Sequence, residues 1–166
     1  MKRKLGRSVL AVAAGCAVAI AAGCAASAAW SAKNNYINGI VQQHEYRQPC
    51  IYVWPAVQET IANYSGAIIA NTSPPPYYRL ETNWVPDGTS STKHYVAEAL
   101  PSGQDGCRIA ITKSSVWNGR ASSERDLWLE YRVLQRVEPG VAAQIESQGE
   151  RLGQDARARY EAEHRK

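Results

Sequence analysis

Four cysteines, three histidines and one tight cluster of opposite charges are the side chains in this sequence that could carry chemistry. A nucleophilic thiol at Cys50 would need His44 or His94 as its base, and neither spacing fits a local Cys–His signature. Scattered histidines without a Cys-x-x-Cys pair define no zinc site. The charge cluster is Arg125, Asp126 and Glu130, whose two carboxylates share a helix face. Surface pairing and helix capping account for such a group, whereas glycosidase chemistry needs a second carboxylate across a cleft. Ser, His and Asp occur without a Gly-x-Ser-x-Gly elbow, so no hydrolase triad is marked. Tyrosine and tryptophan, at 9 and 5 copies against no phenylalanine, leave one binding chemistry open. Tyr77, Tyr78 and Trp117 are candidates for an aromatic surface that binds peptidoglycan or another glycan; the alternative is that these rings fill a small core with wet polar tips. The residues predict no catalytic site, cofactor or metal.

The elements that position these groups begin with an N-terminal segment. Lys2, Arg3, Lys4 and Arg7 precede a small-apolar run from Val9 to Ala22. At about 14 residues the run is short of the roughly 20 that a membrane-spanning helix needs. Ala21-Ala22-Gly23-Cys24 closes it, and the segment (residues 1–23 plus Cys24) resembles the signal peptide and lipobox of bacterial lipoproteins. The resemblance implies cleavage before Cys24, a diacylglyceryl group on its sulfur and often a third acyl chain, which together hold a membrane where one chain is marginal. Ala25 replaces the aspartate that retains such proteins at the inner membrane, which implies an outer-membrane anchor facing the periplasm. Two other fates stay open: cleavage after Ala28, giving a soluble periplasmic protein, and retention of the segment as an anchor.

Removing this segment changes two inferences. Four of the 19 basic residues and none of the 15 acidic ones precede Cys24, so the remainder is neutral. The +4 charge belongs to the signal and gives no argument for nucleic acid. The cysteines outside the signal and its lipid are Cys50 and Cys107, which in an oxidising envelope are predicted to form a disulfide worth about 4 kcal/mol.

Residues 24–49 are small and polar and read as a flexible tether, roughly 25–30 Å in reach. Residues 50–137 read as a globular domain. Pro55 suits a first helical turn, followed by an apolar face of Trp54, Val57, Ile61 and Tyr64, with Gly66 placed to stop it. Ala67 to Ala70 is a short apolar run, and Ser73 to Pro76 a rigid extended connection. Tyr78, Leu80, Thr82 and Trp84 alternate with polar neighbours, predicting a half-buried strand. Further strands are expected over 93–100 and 107–112, with Cys107 facing the core. A second helix is expected after Asn118-Gly119, capped by Ser123 and striped by Leu127, Tyr131, Leu134 and Val137. Residues 138–166 read as a charged helical extension, solvated and laced by Asp155–Arg159 and Glu161–Arg165 pairs.

The order of helix, three or four antiparallel strands and a long C-terminal helix predicts an α+β two-layer sandwich. That order, over about residues 50–137, resembles the helix-grip domains of an envelope assembly lipoprotein in the outer-membrane β-barrel insertion machinery. The expected function is that of a cell-envelope lipoprotein with a non-catalytic protein-interaction or assembly domain. Its expected partners are the membrane, through the lipid, and an envelope protein; peptidoglycan binding is the alternative.

Overall fold

The computed structural model describes residues 8–64, 68–72, 75–88 and 90–164. The chain is α+β and divides into two units. One is Asn38–Gln144; the other joins the chain up to Ile37 with Ile145 onward. The helices are α1 (Ser8–Gln43), α2 (Cys50–Tyr64), α3 (Leu127–Val137) and α4 (Pro139–Glu163). The strands are β1 (Ile68–Thr72), β2 (Tyr78–Thr82), β3 (Val85–Pro86), β4 (Ser91–Ser102), β5 (Gly106–Trp117) and β6 (Arg120–Arg125).

In the first unit the strands form one antiparallel sheet ordered β1-β2-β4-β5-β6, with β3 pairing onto the start of β4. Alternation sets the faces. Tyr78, Leu80 and Thr82 on β2, Tyr95, Ala97 and Ala99 on β4, and Cys107, Ile109 and Ile111 on β5 are buried on one side. Against that side pack α2, through Val53, Trp54, Val57 and Ile61, and α3, through Leu129, Tyr131, Val133 and Leu134. Each large apolar side chain buried there is worth about 1.5–3 kcal/mol, enough to override weak local preferences.

Several boundaries differ from the expected ones. α2 starts at Cys50, so Pro55 lies inside the helix and removes the bond to the Ile51 carbonyl. Gly66, Ala67 and the Ser73-Pro74 pair lie outside the described residues. The segment after Asn118-Gly119 is strand β6, because both residues take positive φ (47° and 75°) and turn the chain back along β5. Ser123 is therefore a strand residue, and the α3 cap is Asp126, whose side chain accepts from Leu129 N–H at 3.0 Å.

The second unit replaces the expected tether with helix. Residues 24–37 are rich in alanine, the best helix former, and contain neither glycine nor proline. Ala29, Lys33 and Ile37 recur at i, i+4 and face α4, which runs antiparallel: Ala29 meets Gly153, and Ile37 meets Gly149. Lys33 bonds Glu150 and lies 3.5 Å from Glu146. The C-terminal helix is thus packed; among the described residues its i,i+4 ion pair is Arg157–Glu161 at 2.8 Å rather than Asp155–Arg159, and Arg165 lies outside them. Gly149 and Gly153 permit the approach, since a Cβ on Gly153 would lie 2.9 Å from the Ala29 carbonyl oxygen.

Candidate functional site

Of the sequence-predicted groups, Arg125 and Glu130 come together most tightly, and their arrangement is structural. Arg125 Nε and Nη2 donate to the two Glu130 carboxylate oxygens at 2.6 and 2.8 Å. Glu130, 1 % exposed, also accepts the Ile111 N–H at 2.9 Å. Arg125 Nη2 donates to the Ile109 carbonyl at 3.0 Å, and Nη1 to the Gln42 carbonyl at 3.1 Å. Ile109 and Ile111 turn these groups to the side of β5 where β6 has already ended. The ion pair therefore stands in for missing strand residues. Further along the same edge, Tyr46 exchanges both backbone bonds with Cys107. Burial holds the Glu130 carboxyl above the usual carboxylate range, partly offset by the Arg125 hydrogen bonds. Asp126 is occupied as a cap, so the cluster leaves no paired carboxylates facing a cleft.

Cys50 and Cys107 lie with Cα atoms 4.9 Å apart and their sulfurs bonded, joining the first residue of α2 to β5. The two histidines considered as bases are engaged with carboxylates: His44 Nε2 pairs with Glu138 at 3.0 Å, and His94 Nε2 with Glu81 at 3.0 Å. Among the described residues no three His, Cys, Asp or Glu side chains converge.

The aromatic trio does not assemble. Tyr78 is buried against Trp54, while Tyr77 and Trp117 are exposed. Tyr78 pairs with Ala99 and Trp117 with Ser91, which places them about 26 Å apart along β4. A different surface emerges on the sheet face away from α2 and α3. Trp84 stacks on His94 (ring centroids 4.9 Å, interplanar 19°), and from His94 a polar chain runs through Glu81 and Arg79 to Glu98. Beside Glu98 lies a groove of about 440 Å³ lined by Gln42, Gln43, His44, Leu100 and Arg108. Val96 is half-buried and Leu100 exposed, so this face carries apolar area. Sequence alternation marked Glu81 and Arg79 as outward, but it placed Trp84 with Tyr78, Leu80 and Thr82, whereas β2 ends at Thr82 and Trp84 lies exposed against His94.

Cys24 is an exposed free thiol on α1, and its proximity is the leading cause of a raised Tyr160 pKa. Among the described residues no helix is long and apolar enough to cross a membrane. No protein-family model, curated protein or solved structure matches this chain.

Proposed function

We propose that this protein is a cell-envelope lipoprotein, attached through Cys24, whose sheet domain is a non-catalytic protein-interaction module. The observation that carries the interaction reading is the one-sided sheet. Helices bury the inner face, while Val96, Leu100, the Trp84–His94 stack and the Glu98 groove occupy the outer one. Mixed apolar and charged surface of this kind suits a protein partner. Separation of Tyr78 from Trp117 argues against the glycan platform. The basic, apolar and small-residue order before Cys24, with the thiol exposed, supports the anchor.

Photo-crosslinking in intact envelopes tests the interaction claim. A photoreactive residue at Val96 or Leu100 is expected to give a discrete adduct, and one at Tyr52, exposed on α2, is expected to give none. Adducts equally strong from Tyr52, or absent from both outer-face positions, contradict it.

A further inference from the structure

The two edges of the sheet differ. β1 carries a register shift between Ile68 and Ala70, and three prolines follow it in sequence. β6 runs unbroken along β5, all six of its residues are exposed, and among the described residues β5 is the one strand paired with it. A straight, open edge is a template for another strand.

Ladder geometry says which groups it offers. Residues of an antiparallel strand point their N–H and C=O alternately to either side. Ile109 and Ile111 direct theirs to the β6 side, as their bonds to Arg125, Asp126 and Glu130 require. The Thr112–Arg125 register then commits Arg120, Ser122 and Glu124 to β5 and leaves the backbone groups of Ala121 and Ser123 on the open edge. Arg120, Ser122 and Glu124 share one face, and among the described residues neither charge makes an ion pair.

We infer that β6 is a dimerisation edge, pairing antiparallel with β6 of a second copy so that Arg120 of each chain lies opposite the partner's Glu124. Open groups must meet open groups, which permits Ala121 opposite Ser123, opposite Arg125, or opposite itself, the last setting Arg120 against Ser122 with no charge pair. The first register sets Ser122 across from its own copy and forms two Arg120–Glu124 pairs, with about four main-chain hydrogen bonds between them. The second opposes Glu124 with Ser122 and brings Arg120 to Asp126, whose carboxylate already caps α3. Charge complementarity selects the first. Two sheets thereby become one continuous sheet, independently of whether Cys24 carries lipid.

The test uses the full chain in mild detergent, with cysteine introduced at Ser122 or at Ser123 and the parent chain measuring any contribution from Cys24. In the selected register the Ser122 Cα atoms lie about 4.5 Å apart, within disulfide reach, whereas the Ser123 Cα atoms are about 8–9 Å apart and beyond it. Oxidation should give at least tenfold more covalent dimer from Ser122→Cys than from Ser123→Cys. Equal yields, or none above the parent, overturn the proposal. By sedimentation the parent should be dimeric, Arg120→Glu and Glu124→Arg each monomeric, and the combined reversal dimeric again. A monomeric parent, dimeric single variants or a double variant that stays monomeric each overturn it, and unchanged circular dichroism shows that the variants are folded.

Discussion

Glu130 holds Arg125 through two parallel bonds at 2.6 and 2.8 Å, and together they satisfy the backbone of β5 where β6 stops. This pair also ties the sheet to Gln42 at the end of α1. Removing one partner of a buried pair strands the other. Arg125→Ala should destabilise the protein by about 3 kcal/mol. Glu130→Gln, which still accepts from Ile111, should cost about 1–2 kcal/mol. Urea unfolding checks both, and an Arg125→Ala variant within about 0.5 kcal/mol of the parent contradicts the assignment.

The acid response should carry two opposed components. Burial raises the Glu130 pKa, so its contribution is fully present below the unfolded value of about 4.3 and is lost as pH rises through the folded one. Hydrogen bonds from Lys113 and Lys93 lower the Asp87 pKa, so its contribution is present above about 3.9 and is lost as pH falls through the folded value. Glu130→Gln should flatten the weakening on the neutral side, and Asp87→Asn the weakening below about pH 4. Urea midpoints across the pH range report both slopes. Slopes of reversed sign in the two variants would refute the attribution.

Gly153 and Gly149 offer a paired test of the α1–α4 contact. Alanine gains about 1 kcal/mol of helix propensity at either position. At Gly153 the new Cβ meets the Ala29 carbonyl oxygen at 2.9 Å, a backbone atom that cannot step aside. At Gly149 it meets side-chain carbons of Ile37 and Lys33 at 3.3 Å, which can. Gly153→Ala should therefore speed amide exchange over residues 25–37, and Gly149→Ala should leave it unchanged or slow it. Equal behaviour of the two variants contradicts this packing.

How much of this was legible in the sequence depends on where the stabilising partner lies. Tyr78, Leu80 and Thr82 announce β2 because a period of two needs only its own strand and a core. The α2 stripe is legible for the same reason as far as Ile61, while Tyr64 is exposed; in α3, Tyr131 and Leu134 are buried beside Leu129 and Val133, with Leu127 and Val137 only half-buried. β6 was not, because Arg-Ala-Ser-Ser-Glu-Arg has no apolar alternation; it is held by main-chain pairing with β5 and by Ser115–Ser122 hydroxyls at 2.8 Å. Residues 24–49 read as a tether because their polarity masks the alanine content of 24–37, and the glycines that stretch packs against come more than a hundred residues later. Glu130 read as a surface charge, since its backbone partner, Ile111, is remote in sequence.

Cys50 and Cys107 close a loop with a sequence separation of 57. Replacing both by serine should cost about 4 kcal/mol of stability. Reduction of the parent should lower its urea midpoint to that of the double variant. A midpoint insensitive to reductant shows that the staple contributes nothing.

The attachment at Cys24 is tested most directly by intact-mass analysis of the mature protein purified from membranes. The expected result is a chain beginning at Cys24 with the added mass of a diacylglyceryl group, with or without a third acyl chain. An unmodified chain beginning at Ala29 contradicts it.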